Sequence, residues 1–353
     1  MISKIELTNF RCFKNISIDG IKPVTLIAGA NNVGKSTVLE SIFLFMGRYT
    51  NNVFFHLNNL RGITNVGSSP QLAWESFFYN QNVHNEIIIK LKINGQEQTV
   101  EIGKYEKYSK SSIMESLKSQ WVPAMNAPLV SVYPLTIRFF DCKQKNFTNF
   151  ILDNNGGFRI ELPEEFTINT PFTYYLHTMS LMNPQQLVEL YGKLDIENNK
   201  NSCIKILKLL DDRINDLSVI PFGGVTYIYA DLGKNIKYPI NILGDGINKL
   251  MQIILLILAN PGALILADEI ENGFHYSFYP KLWDIIGNLV KETKSQLIAT
   301  SHSYECINAA ESLAKDSEMF CFLRLDKLND TIYPQVFDNE SFIYSINNDW
   351  EVR

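Results

Sequence analysis

Gly29-Ala30-Asn31-Asn32-Val33-Gly34-Lys35-Ser36-Thr37 follows the apolar run Val24-Thr25-Leu26-Ile27-Ala28 and leads into Val38-Leu39-Glu40-Ser41-Ile42-Phe43-Leu44. The pattern G-x-x-x-x-G-K-[ST] between a strand-like and a helix-like stretch is that of a phosphate-binding loop. Glycines let the backbone curl until several N–H groups point inward at an anion, and the N-terminus of the following helix adds partial positive charge. Lys35 is expected to reach the β- and γ-phosphates, and the Ser36 hydroxyl to ligate Mg²⁺. Asn31, Asn32, Gly34, Lys35, Ser36 and Thr37 are therefore the expected nucleotide contacts of this loop.

A second element lies more than half the chain away. Ala263-Leu264-Ile265-Leu266-Ala267 reads as a strand buried on both faces, as in parallel sheets, and it ends at Asp268-Glu269. A carboxylate at such a strand end holds Mg²⁺, the role expected of Asp268; the next can orient and deprotonate an attacking water, the role expected of Glu269. A third apolar strand, Gln296-Leu297-Ile298-Ala299-Thr300, exits through Ser301-His302, where an imidazole could report on the terminal phosphate.

Around these elements, Ile2 to Ile18 reads as two short strands about a polar turn, and Arg48 to Pro70 as a polar surface excursion. Ile87–Ile93, Asn94-Gly95 and Thr99–Ile102 form a hairpin pattern, because Asn-Gly supports the turn that two-residue hairpins need. Leu135–Phe140 and Phe158–Leu162 read as strands, and Pro184 to Leu217 as two helices broken near Asn198-Asn199. Pro123, Pro128, Pro134, Pro163, Pro171 and Pro184 exclude a long coiled-coil arm. Gly224–Tyr229 and Ile236–Ile242 suggest a second hairpin. Leu243-Gly244-Asp245-Gly246 then opens an apolar helix to Ala259, Tyr276 to Val290 forms an amphipathic one, and Met319 to Val336 reads as strands about a Lys327–Asp330 turn.

The residues resemble a known group, the ABC-type ATPase heads of RecF, SMC and OLD proteins. Ile5-Glu6-Leu7-Thr8-Asn9-Phe10-Arg11-Cys12-Phe13 is similar to the group's amino-terminal signature, and Leu243–Leu250 to its signature motif. Asp268–His275 resembles its Walker B and D-loop, and Thr300-Ser301-His302-Ser303 its switch-histidine loop. The likeness covers residues 1–50 and 220–310 and is greatest to stand-alone RecF-like AAA family ATPases of bacteria, some encoded beside a Toprim-type nuclease in antiphage defence or toxin–antitoxin loci.

The resemblance implies an α/β ABC-type head with a mixed or parallel sheet core, an antiparallel β subdomain, a helical insertion and no long coiled coil. It implies ATP and Mg²⁺, hydrolysis to ADP and phosphate, and a homo-oligomer in which two heads clasp two ATP molecules. Gly244, Asp245 and Gly246 would then meet the nucleotide of the second copy, and Arg11 would lie near adenine or phosphates. Gly244 stands where the signature usually has serine, His275 where transporter-type heads have the D-loop aspartate, and Gln71 and Gln81 are both candidates for the Q-loop. The expected division is 1–108 (lobe I), 109–219 (inserted subdomain) and 220–353 (lobe II). The expected role is a slow ATP-driven switch acting on a partner protein such as an effector nuclease, the alternative being a RecF-like DNA repair ATPase.

Composition sets the outer limits. At 353 residues and 46% hydrophobic content the chain can bury one large core or two modest ones. Ile253–Ala259, the longest apolar run, is too short to span a bilayer, and Met-Ile-Ser-Lys lacks a signal core, so a cytoplasmic protein without a membrane partner is expected. Five cysteines with no C-x-x-C pair suggest neither zinc site nor disulfide framework. A net charge of −5 argues against a chain coated in nucleic acid; Lys104, Lys107, Lys110 and Lys118, interleaved with Tyr105 and Tyr108, read as a solvated face.

Overall fold

Alternating burial and turn chemistry build the strands at the start of the chain. A computed structural model describes residues 1–48, 50, 52–63, 72–104, 133–140, 145–152, 158–161, 171–177 and 182–348. The strands in chain order are β1 (Ile2–Phe10), β2 (Phe13–Asp19), β3 (Val24–Gly29), β4 (Ile87–Ile93), β5 (Gln96–Lys104), β6 (Tyr133–Phe140), β7 (Lys145–Leu152), β8 (Phe158–Glu161), β9 (Thr173–Leu176), β10 (Asp216–Phe222), β11 (Val225–Asp231), β12 (Tyr238–Pro239), β13 (Leu264–Ala267), β14 (Gln296–Thr300), β15 (Phe320–Leu328) and β16 (Thr331–Phe337). The chain divides into two compact units, one of residues 1–3, 18–39 and 170–353 and the other of 4–17 and 40–169. Both units are discontinuous in sequence.

The first unit holds a six-stranded sheet in the order β16-β15-β3-β14-β13-β9. β3 runs parallel to β14 and β15, β13 runs parallel to β14 and β9, and only the edge strand β16 is antiparallel. Every residue of β3, β13 and β14 is buried, as their unbroken apolar runs require of strands covered on both faces. Asn329 and Asp330, at φ 47° and 63°, make the β15–β16 turn. The helix Asp245–Ala259 is buried along almost all its length from Ile247 onward, and the helix Tyr279–Thr293 packs in the same core through Leu282, Trp283 and Ile286. The helix Pro184–Ile196 starts with proline at its first position and Asn183 accepting the Gln185 N–H at 2.9 Å.

The second unit carries the seven-stranded sheet β2-β1-β4-β5-β6-β7-β8, antiparallel from β4 to β8. Asn94 and Gly95, at φ 50° and 81°, close its expected hairpin.

Three local readings need correction. Within the expected excursion from Arg48 to Pro70, Asn52–Leu60 is a helix that buries Val53, Phe54 and Leu57, and Phe54 meets Trp74 and Phe77 edge-on at 5.4 and 5.2 Å. Aromatic packing outweighs its asparagine-rich composition. β11 does pair antiparallel with the expected partner, but only through Tyr229 opposite Pro239 and Ala230 opposite Tyr238, since Ile240–Ile242 is a 3₁₀ turn; along its full length it pairs with β10 on its other edge. Asp216 and Leu217 accordingly begin β10, not the end of a helix; the second helix of that pair stops at Leu207. The longest helices among the described residues have 15 residues, so none forms an extended arm. The basic cluster lies outside the described residues except Lys104, whose backbone ends β5.

Candidate active site

The phosphate loop is shaped by where β3 must stop. Gly29 ends β3 beside β15, at φ 134°, and a Cβ on it would lie 2.4 Å from the Leu325 carbonyl oxygen. No side chain fits that corner. Asn32 and Gly34 follow at φ 64° and 95°, and Lys35 opens the helix Lys35–Met46. Ala30, Asn31 and Asn32 are exposed, while Lys35 and Thr37 are buried. The Lys35 ammonium donates to the carbonyls of Gly29 at 2.6 Å and Ala30 at 2.9 Å. Burial brings its pKa down to about 8, against the opposing pull of Asp268, Glu271 and Glu269.

Because β13 and β14 are parallel neighbours and β14 also borders β3, all three strand ends open onto one place. The Ser36 hydroxyl donates to Asp268 Oδ1 at 3.0 Å, and the buried Thr300 hydroxyl donates to the same oxygen at 2.6 Å while accepting the Glu269 N–H at 2.8 Å. Ser36 and Asp268 thus bring together two hard oxygen donors beside a buried ammonium, a set that fits Mg²⁺ held with a polyphosphate.

Glu269 sits in the left-handed region at φ 47°, uncommon for a residue with a side chain. Its Oε2 accepts from Asn272 Nδ2 at 2.5 Å, and its Oε1 lies 3.7 Å from His302 Nε2. Glu271, only 7% exposed, uses Oε1 to accept the N–H groups of His302 at 2.6 Å and Ser303 at 3.1 Å. Its Oε2 is buried with no hydrogen-bond partner among the described residues. Lys249 donates its ammonium to the Glu269 carbonyl at 2.6 Å, and burial lowers its pKa to about 8.

Lys35, Ser36, Asp268, Glu269 and His302 thus meet in the first unit. Gly244, Asp245 and Gly246 form the start of the helix Asp245–Ala259, with Gly244 exposed at φ 127°. Arg11 belongs to the second unit, where its Nε lies 2.7 Å from Glu40 Oε2 and its guanidinium carbon 4.6 Å from the centre of the Phe77 ring. Gln81 is also in that unit, at φ 56°, and Gln71 lies outside the described residues. His275 is exposed, its Nδ1 2.9 Å from Ser277 Oγ. Sequence reasoning assigned no role to Thr300, Glu271 or Lys249. Of these, Lys249 carried a legible signal, being the only basic residue in a largely apolar helix.

Strand order, loop and acidic pair define the class of fold, an α/β P-loop fold like that of SMC heads, and the chain is similar to ABC-type AAA ATPases. Residues 1–159 match the family described as "AAA ATPase domain", and residues 143–308 match "AAA domain, putative AbiEii toxin, Type IV TA system". An "ATP/GTP phosphatase" of Helicobacter pylori is 25% identical over 386 aligned positions covering 99% of each chain. The "DNA replication and repair protein RecF" of Acholeplasma laidlawii is 49% identical over 43 residues, 12% of each chain. Among solved structures, an SMC head bound to the C-terminal winged-helix domain of ScpA has a TM-score of 0.50 at 14% identity, with 96% of this chain and 97% of that chain covered. This last likeness concerns the fold alone.

Proposed function

We propose that the protein is an ATP-driven molecular switch that works in the cytoplasm, closes with a second copy around two ATP molecules, hydrolyses them slowly and thereby controls a partner protein. The observation that carries this reading is the meeting of Lys35, Ser36, Asp268, Glu269 and His302 around one space. Lys35 leaves the loop carbonyls for the β- and γ-phosphates, and the N–H groups of the loop hold the remaining phosphate oxygens. Ser36 and Asp268 hold Mg²⁺. The bound ion would neutralise charge on the β- and γ-phosphates. Glu269 takes a proton from the attacking water, and His302 hydrogen-bonds the terminal phosphate, so that its loop distinguishes ATP from ADP. Gly244, Asp245 and Gly246 offer a helix N-terminus to the nucleotide of the second copy. Contacts to the γ-phosphate from both copies exist only in the closed state, so ATP acts as a clamp and hydrolysis as its release.

The partner is proposed to be an effector nuclease, of Toprim type, in antiphage defence. A match to a family described by a toxin–antitoxin system supports that direction, as does an SMC head solved with a bound protein domain. The RecF stretch favours one alternative, an ATPase that binds DNA. ATPase measured with and without duplex DNA at two salt concentrations separates them: unchanged turnover supports the protein-partner switch, and strong salt-sensitive stimulation supports the DNA reading.

A further inference from the structure

Two contacts tie the first turns of the helix Asp245–Ala259 to the loop that follows Asp268. A Cβ on Gly246 would lie 2.6 Å from the Gly273 carbonyl oxygen, so helix and loop backbones touch at a distance that only glycine permits. One turn on, Lys249 donates to the carbonyl of Glu269 at 2.6 Å. That carbonyl belongs to a residue in the left-handed region, where side-chain-bearing residues persist only when their surroundings hold them. The helix has no packing need for a cation at this position, since the residues that follow are buried and, Gln252 apart, apolar. A half-buried ammonium gives up part of its hydration and needs an acceptor in return, and the acceptor it has is this peptide.

We propose that Lys249 is a positioning residue for ATP hydrolysis: it fixes the Glu269 peptide and so aims the carboxylate, and it links that carboxylate to the helix end formed by Gly244, Asp245 and Gly246. The inference rests on the reading of Glu269 as the group that activates water. The physical route is short. Gly244 and Asp245 are exposed at the helix start, and an anion docking there presses on a first turn already seated against Gly273. The helix is hydrogen-bonded as a rod, so displacement of that turn is carried to Lys249 and from there to the Glu269 backbone. Asn248 stiffens the same turn by donating to the carbonyls of Asn241 and Gly244, both at 3.0 Å. One chain would thus couple what its helix end senses to hydrolysis at its own acidic pair.

The test compares full-length parent, Lys249→Met, Lys249→Arg and Glu269→Gln, reading ATP affinity by equilibrium binding, kcat by phosphate release and the thermal midpoint of each. Lys249→Met should lower kcat about ten- to a hundredfold, the loss of one charged hydrogen bond, while the Kd for ATP stays within about twofold. Lys249→Arg, which keeps a cationic donor, should recover most of that kcat. Should Lys249→Met fail to fold, Lys249→Gln, with a neutral donor on a shorter stem, should fall between parent and the expected Met value. A kcat for Lys249→Met within twofold of the parent, with Glu269→Gln inactive, would overturn the proposal and leave the Glu269 assignment standing. A Kd that rises in step with the fall in kcat would also overturn it. A Glu269→Gln variant as fast as the parent would overturn the Glu269 reading and this inference with it.

Discussion

Ser36 and Asp268, 232 positions apart, meet through a 3.0 Å hydrogen bond from the hydroxyl to Oδ1. Two oxygen donors brought together from the start of one helix and the end of a buried strand suit a hard cation. Asp268→Asn keeps the shape and removes the charge, so the Mg²⁺ concentration for half-maximal ATPase should rise by about tenfold or more. A magnesium titration of parent and variant reads this directly, and superimposable curves would count against the assignment.

Lys35 is the cation inside the loop, and two of its three donors are spent on the loop's own carbonyls. Phosphate oxygens are stronger acceptors for a charged donor. Lys35→Ala should therefore abolish ATP binding while leaving the fold intact, as followed by a fluorescent ATP analogue and circular dichroism. Binding as tight as the parent's would remove Lys35 from the site.

Thr300 joins the two acidic residues, donating to Asp268 at 2.6 Å and accepting from the Glu269 N–H at 2.8 Å, fully buried. Thr300→Val fills the same volume but leaves both partners short of a hydrogen bond. A loss of about 1–3 kcal/mol in urea unfolding is expected, with slower turnover. Unchanged stability would mean that the network contributes nothing to the fold.

Burial pushes the thiols of Cys203, Cys306 and Cys321 up to about 12. A raised pKa keeps each thiol protonated and unreactive at lower pH, and only the thiolate attacks alkylating agents. At about pH 8 iodoacetamide should spare these three in the folded protein and modify them after denaturation, as peptide mass spectrometry would show. Cys12, half-buried, should be modified earlier.

The parallel core was legible because strands covered on both faces are written as unbroken apolar runs, as at Leu264–Ala267 and Gln296–Thr300. The phosphate loop was legible because its glycines and lysine are adjacent in sequence. The helix at Asn52–Leu60 was not, since nine residues with three asparagines are marginal as a helix by themselves and this one is held by aromatic contacts from Phe77 and Trp74. β10 escaped for a related reason. Its burial alternates weakly, and its pairing with β11 depends on a partner up to fifteen residues on, thirteen in the case of Leu217 opposite Ala230 and fifteen for Asp216 opposite Asp231. Thr300, Glu271 and Lys249 acquire meaning only through tertiary contacts, to Asp268, to the His302 backbone and to the Glu269 carbonyl. A threonine at a strand end, or a lysine on a helix, carries no such address in one dimension.

The proposed mechanism joins these residues in one ATP site, completed when a second copy closes on it. Light scattering on Glu269→Gln, in ATP and in ADP with magnesium present, tests it most directly. The expected result is a particle of twice the single-chain mass in ATP, holding unhydrolysed nucleotide, and a single-chain mass in ADP. A variant that stays single in ATP while turning it over at the parent rate would contradict the account.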